Sequence, residues 1–330
     1  MVTHEKNESR SGQRRTKYVM IAIGQKIMTG EKEMWFWLSL IAILFWSGSD
    51  LFSKMGSKEE DRFSHWKMII AVGTVMGMHA VIELCSGAEF GIKDILIYLP
   101  VSFLYIFAML LGYVGLRYVV LSVSTPICNS SGAVAALLCF FILKQAMSGL
   151  QFSGVVLVCI GIFLLSVIEK KQEDEARKRE GIIPDRKYTH SFIAVFFPIF
   201  YCILDGAGTF ADALVLDRYI KEESANIAYE LTFFMLAVLA FIYVVIIRKQ
   251  KIRLSQEKPK MLAAVFETAG QFAYIYALGS NAIVAAPLIS SYCIFSLVWA
   301  RIILKEKLMW KQYLVIAIAA VGIVILGMEG

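Results

Sequence analysis

The sequence predicts an all-α integral membrane protein: ten transmembrane helices arranged as two inverted five-helix repeats. Three observations predict it. Hydrophobic windows long enough to cross a bilayer recur along the chain, the chain matches itself without a gap when Pro126 is laid on Pro287, and basic residues collect on alternate connections. Of 330 residues, 58% belong to the AVILMFWYC set and only 18% are charged. Mean hydropathy is +0.64. A soluble domain runs nearer 45–50% apolar and about 25% charged, so this chain carries more apolar surface than a water-facing fold hides. Disordered, collagenous and low-complexity readings are excluded by the 13% aromatic content and the six prolines.

A bilayer core of about 30 Å takes about 20 apolar residues in a helix. The first span, 34–54, opens on Met34-Trp35-Phe36-Trp37 and closes at Lys54; the second, 66–85, starts at Trp66 after a charged stretch. The third and fourth, 95–116 and 119–143, are separated only by Arg117 and Tyr118 and form a helical hairpin. The fifth, 150–168, ends at the charged segment 169–190, beyond which the sixth (191–216) and seventh (226–247) follow. After the basic stretch 248–260 come the eighth and ninth, 261–279 and 282–304, a second hairpin turning at Ser280-Asn281, and then the tenth, 313–328. Helices are required because backbone groups in hydrocarbon need partners within their own segment, and these runs are too long for barrel strands.

The self-match pairs Tyr113 with Tyr274, Ser130 with Ser291, Ile142-Leu143-Lys144 with Ile303-Leu304-Lys305, Gln151 with Gln312 and Gly161 with Gly322. Apolar identities arise readily between membrane helices, so the Pro, Lys, Gln and Gly matches carry the duplication. It divides the chain into a first repeat, 34–168, a charged cytoplasmic linker, 169–190, and a second repeat, 191–328. Five spans per repeat bring the halves in from opposite sides, as in many secondary transporters.

Lys and Arg concentrate after odd-numbered spans, as at Lys170, Lys171, Arg248, Lys249 and Lys305, which places those connections in the cytoplasm and both termini outside. Residues 1–33 oppose this with Arg14, Arg15 and Lys17. They are read as an extension, either upstream of a native start at Met28 or Met34 or a disordered cytoplasmic tail. The net charge of +6 is thus assigned to membrane flanks and not to nucleic acid. The six cysteines lie in apolar runs without a C-x-x-C pair, and His4, His65, His79 and His190 are dispersed, so neither disulfides nor a metal site is expected. No phosphate-binding loop or hydrolase motif is present; no cofactor and no enzyme activity are expected.

A charge at mid-membrane costs about 2.5–3.5 kcal/mol on insertion scales, which makes intramembrane acids functional candidates. Asp205, near the middle of its span with no basic residue one turn away, and Glu267, beside Gln271 and Tyr274, are the leading sites. Asp212 and Glu230 fall near the link between spans six and seven and are read as a gate or rim at one membrane surface. Asp50 with Lys54, and Glu83 with His79, read as local i,i+4 pairs. Pro126 and Pro287 each loosen a helix and expose backbone acceptors beside Asn129 and Ser130, or Ser290, Ser291 and Tyr292. Trp46, Tyr113, Tyr274 and Tyr292 offer aromatic faces, which with an acidic cavity favour a cationic solute.

The tight hairpins with an interior proline, Tyr113 to Pro126 and Tyr274 to Pro287, each followed by Ile-Leu-Lys and then Gln151…Gly161 or Gln312…Gly322, resemble the ten-helix EamA-type transporters of the drug/metabolite transporter superfamily. The resemblance covers about 34–328; Lys144-Gln145 and Lys305-Glu306 depart from the Gly-Glu type of pair usual there, the first half more than the second. It implies a central cavity lined by spans 1, 3, 4, 6, 8 and 9, with spans 5 and 10 peripheral, and alternating access by rocking. The expected activity is secondary transport of a small amine, organic cation or amino acid, coupled to a proton or another cation through Asp205 or Glu267, in the cell membrane. A lipid-linked substrate, or a neutral or anionic one such as a sugar or nucleotide conjugate, is the alternative. Two complementary halves make dimerisation unnecessary, while spans 5 and 10 could support a homodimer.

Overall fold

The computed structural model describes residues 34–53, 55, 56, 61, 63–118, 130–180, 192–252, 257–303, 305 and 308–328. The N-terminal extension 1–33 lies outside them, as do Lys54, Pro126 and Asn129. Every regular element among the described residues is helical. In chain order they are α1 (Met34–Ser53), α2 (Ser64–Cys85), α3 (Ile92–Tyr118), α4 (Ser131–Ile142), α5 (Gly149–Glu180), α6 (Phe192–Arg218), α7 (Glu222–Ile247), α8 (Lys258–Ile289), α9 (Tyr292–Ile303) and α10 (Trp310–Gly327). Seven of them, α1, α2, α5, α6, α7, α8 and α10, contain stretches long and apolar enough to cross a membrane; α4 and α9 are shorter apolar helices. Large apolar side chains cover the outside of the bundle, with Ile92 80% and Phe141 71% exposed, as expected of a surface solvated by lipid.

Two joints differ from the expected spans. The chain leaves helical geometry at Asn281 (φ −159°, ψ 78°), so α8 is two helices, 258–280 and 282–289, joined through one residue. The free N–H of Ile283 at the start of the second piece is taken by Gln145 Oε1 at 3.2 Å. The ninth span then breaks again: Ser291 N–H reaches back only to Leu288 O (3.0 Å), and α9 restarts at Tyr292. This break follows four residues after Pro287, whose missing N–H weakens the turn. The segment expected as linker begins as helix, since α5 continues to Glu180; 181–190 lie outside the described residues. The last turn of α7 opens into a π-helix at Ile242–Ile247.

Repeat-related positions share local geometry. Lys144 and Lys305 adopt left-handed φ values of 54° and 55°, each just after its helix, α4 or α9. Few side chains other than Gly and Asn take this conformation; among the described residues Lys249, after α7, also does, at φ 53°. Gln151 Oε1 accepts the N–H of Ser148 (3.0 Å) and Gln312 Oε1 that of Met309 (2.8 Å), capping α5 and α10 alike. Those two helices then pack through glycine, Gly161 on Ala319 and Gly154 on Gly322.

The bundle is tied at its ends by charge. Lys67 donates to Asp61 (2.6 Å) and lies 3.6 Å from Glu257, which in turn accepts from the buried Lys260 (2.5 Å). Burial pushes the Asp61 carboxyl up, but the hydrogen bonds from Lys67 and the Phe63 N–H outweigh it and hold the group below the ordinary carboxylate range. At the opposite end Lys221 meets Glu89 at 3.1 Å, and Ser224 donates to the Glu89 carbonyl at 2.9 Å.

A close seam runs between α2 and α7. A Cβ added at Gly73 would collide with the Phe233 carbonyl oxygen and stand 2.5 Å from Ala237 Cβ, neither of which can swing aside. Gly73→Val should therefore lower stability by about 1–3 kcal/mol, read as a lower unfolding midpoint of the detergent-solubilised protein. Gly149→Ala, with nothing within 4 Å of the added carbon, should leave the midpoint unchanged; equal effects would show that the α2–α7 approach is not tight.

Candidate functional site

A cavity of about 450 Å³ sits in the centre of the bundle. Three carboxylates face it from three helices: Asp50 on α1, Asp205 on α6 and Glu267 on α8. Among the described residues no Lys, Arg or His lines it. The walls between the acids are aromatic: Trp46, Tyr105, Tyr201, Tyr229, Tyr274 and Tyr292. Trp46 stands between Tyr274, centroids 5.0 Å apart, and Tyr292, 5.9 Å.

Each acid has one neutral partner and no counter-ion in the cavity. Asp50 accepts from Ser296 Oγ at 3.1 Å, Ser131 at the start of α4 stands beside Asp205, and Ser49, whose hydroxyl donates to the Ala263 carbonyl at 3.1 Å, stands beside Glu267. Asp50 and Glu267 are close enough for their charges to act on each other. The charge expected to offset Asp50 is carried by Lys54, outside the described residues; its visible partner is the hydroxyl on α9. Gln271, 3% exposed, also lines the cavity, and its Nε2 has no acceptor. A buried amide donor without a partner marks a place where a ligand acceptor is accommodated.

The helix breaks build this space. The small residues that end α8 and begin α4 meet, with Ser290 against Gly132 and the Ala286 carbonyl 2.9 Å from where a Cβ there would stand. Gly206 lets α6 approach the same point, its Cβ position lying 2.9 Å from Ser131 O, and so brings Asp205 to Ser131. The two polar patches that the repeat relates thus come together at one wall. Ser290 and Tyr292 line the cavity; Ser291 is fully buried behind it with an unpartnered Oγ, and Ser130 is not part of the lining. The side chain of Tyr113 lies outside the described residues, as do Pro126 and Asn129.

Asp212 and Glu230, expected as a gate or rim, are both fully buried within the bundle. Asp212 is enclosed by tyrosines from two other helices. Tyr98 donates to Oδ1, Tyr105 to Oδ2 at 2.9 Å and Tyr274 to Oδ2 at 3.2 Å, while the Tyr105 and Tyr274 hydroxyls meet at 2.7 Å. The cage joins α3, α6 and α8, and two of its members line the cavity. Glu230 lies instead against α2, where His79 Nδ1 approaches its two oxygens at 2.9 and 3.0 Å. His79 is farther from Glu83, its expected local partner, at 3.7 Å.

Helices α2 and α7, not expected in the lining, supply Met68, Met76, Tyr229 and Phe233 among others, while α5 and α10 supply none. Tyr105 and Tyr201 are, with Trp46, Tyr274 and Tyr292, among the aromatic residues that the sequence places at cavity depth, whereas Tyr98 escaped the sequence reading because tyrosine in a membrane span carries no signal of its own; only the buried acid that it bonds points to it. Cys85, Cys139, Cys159, Cys202 and Cys293 form no disulfide.

The sequence family described as the EamA-like transporter family matches residues 33–167 and 212–328. A solved crystal structure superposes with a TM-score of 0.64, covering 88% of this chain and 95% of its own, at 12% identity, a likeness of fold alone. No curated protein matches the chain in sequence.

Tyr98→Phe removes one donor from a fully buried carboxylate. It should cost about 1–3 kcal/mol, measured as a fall in unfolding midpoint, whereas Tyr313→Phe on the exposed face of α10 should cost nothing measurable. A Tyr98→Phe protein as stable as the wild type would show that the cage does not hold Asp212.

Proposed function

The chain belongs to the EamA-like transporter family, and on that premise we propose that it carries a small amine-bearing solute, an organic cation or an amino acid, through its central cavity. Membership makes it a multi-pass membrane transporter of the drug/metabolite transporter superfamily, not an enzyme. The observation that carries the substrate class is the lining: three carboxylates, seven aromatic rings and no basic residue among the described ones. An ammonium group entering this space meets both full charges and π faces in a low dielectric, where each interaction is strongest. The unpartnered Gln271 amide favours a substrate that also carries an acceptor, as an amino acid's carboxylate does.

In this reading the ten helices form two inverted repeats of five, 34–168 and 191–328, with the connections after odd-numbered spans in the cytoplasm of a cell whose surface membrane holds the protein. The repeated left-handed lysines and glutamine caps support the duplication. The two halves rock about the cavity. Asp205 or Glu267 couples this motion to a proton or another cation, since a neutralised carboxylate reorients through the bundle at lower cost than a charged one.

Amines or amino acids, and not sugars or anionic nucleotides, should raise the unfolding midpoint of the purified protein. A ligand at about 100 times its dissociation constant stabilises by about 2.7 kcal/mol. Asp205→Asn or Glu267→Gln should remove that shift and abolish coupled flux while the protein still inserts. Uptake that stays intact and pH-dependent in both variants would overturn the mechanism, and stabilisation by neutral or anionic solutes alone would overturn the substrate class.

A further inference from the structure

Outside the cavity lining, α2 and α7 face each other with two pairs of ligating side chains, each pair four residues apart on its helix: His79 and Glu83, and Asn226 and Glu230. Side chains four apart lie on one helical face, one turn above the other. His79 Nδ1 is 2.9 Å from Glu230 Oε1 and 3.7 Å from Glu83 Oε2, and one ligand atom from each of the three lies within 4.8 Å of the others. Asn226 donates from Nδ2 to Glu83 Oε2 at 3.0 Å, and its side chain also reaches Glu230. Its carbonyl Oδ1 is buried without a partner. Asn226 and Glu230 are fully buried, and the edge of the Phe272 ring closes on His79 with centroids 5.7 Å apart.

A simple His79–Glu230 pair accounts for two of these four groups. It leaves Glu83 beside a second carboxylate and the Asn226 oxygen with nothing to accept. A cation accounts for all four. We propose that this cluster is a binding site for one divalent transition-metal ion of the zinc class, held by His79 Nδ1, Glu83, Glu230 and the carbonyl oxygen of Asn226. Ligand atoms about 2.0–2.1 Å from a tetrahedral ion stand about 3.3 Å from one another. The observed 2.9 and 3.7 Å separations bracket that value, and turning over the Asn226 amide, so that Oδ1 takes the place that Nδ2 now holds toward the carboxylates, brings in the fourth ligand. The two carboxylates balance a double positive charge. The imidazole nitrogen selects zinc-like ions over magnesium or calcium, which prefer all-oxygen shells. The ion bridges one helix from each half of the chain and fixes the seam where Gly73 and Gly77 already bring α2 and α7 into close contact. It is independent of the substrate cavity, whose acids lie elsewhere.

The test uses the full chain, purified in detergent, stripped with chelator, reloaded with zinc chloride and freed of excess by gel filtration. Metal content is read by mass spectrometry and stability by the unfolding midpoint. The expected result is about one zinc ion per chain with a raised midpoint, both reversed by chelator and absent in His79→Ala and Glu230→Gln. His79→Cys, which keeps a metal ligand, should retain the ion and shift preference toward cadmium, and it serves where the alanine variant fails to fold. Asp205→Asn should keep full zinc content, separating this site from the cavity. A wild type that retains no zinc, or a His79→Ala/Glu230→Gln double variant that retains as much as the wild type, overturns the proposal. Equal midpoint shifts with magnesium or calcium overturn the assignment to the zinc class.

Discussion

A carboxylate inside a membrane bundle has no water to solvate it, so the bundle must supply every dipole that it needs. At Asp212 this requirement organises three helices. One acidic group on α6 gathers three phenolic hydroxyls, Tyr98 and Tyr105 from α3 and Tyr274 from α8, and the last two also meet at 2.7 Å, so that one of them shares its proton between the carboxylate and the other hydroxyl. A network in which each member satisfies another fixes rotamers as well as distances, because loss of any donor leaves a buried acceptor short. The rings that hold Asp212 are also walls of the cavity, since Tyr105 and Tyr274 line it and Tyr229 packs edge-on against both Tyr98 and Tyr105. The position of the aromatic surface available to a solute therefore depends on a carboxylate that the solute does not touch.

The three cavity acids are treated differently. Asp50, Asp205 and Glu267 each have a serine partner but no cage, and they face open volume. Asp212 has its solvation built in, whereas theirs is left to be completed. The same contrast separates Ser290, whose hydroxyl bonds the Ala286 carbonyl at 3.0 Å, from Gln271, whose amide stays unpaired at the cavity wall. Satisfied polar groups set the frame, and incompletely satisfied ones mark where another molecule gains most by entering.

Much of this frame was legible in the sequence, because hydropathy and the placement of Pro, Gly and Lys are local properties. The register that pairs Lys144 with Lys305 and Gln151 with Gln312 anticipates matching backbone turns and matching caps, and both are present. Asp205 and Glu267, which line the cavity, were legible as candidates because an acid far from either end of an apolar run is conspicuous in itself. The complete burial of Asp212 and Glu230 was not legible. Distance along the chain to the next polar link was taken for depth, but the partners that bury them, Tyr98 and His79, come from helices more than 110 residues earlier. The single-residue joint at Asn281 and the break at Ser290-Ser291 were only partly visible. Proline signals a weakened turn, but it does not say whether the helix bends, restarts or ends.

Helix α7 connects these separate networks. Its neighbouring residues Tyr229 and Glu230 point to different surroundings, the first into the cavity and the second to His79 on α2. About 100° of helical rotation separates consecutive side chains, so a rotation that draws Tyr229 from the cavity wall also displaces Glu230 from the α2 seam. At Gly73 that seam has no room for displacement, since the backbone of α7 already lies against the backbone of α2. The α2–α7 seam is thus closely packed, and the irregular backbone around the cavity is carried by the helices on its other sides. The breaks at Asn281 and Ser290-Ser291 lie in that part of the bundle, where one residue out of helical geometry allows the pieces of α8 and α9 to shift without straining a continuous hydrogen-bond ladder.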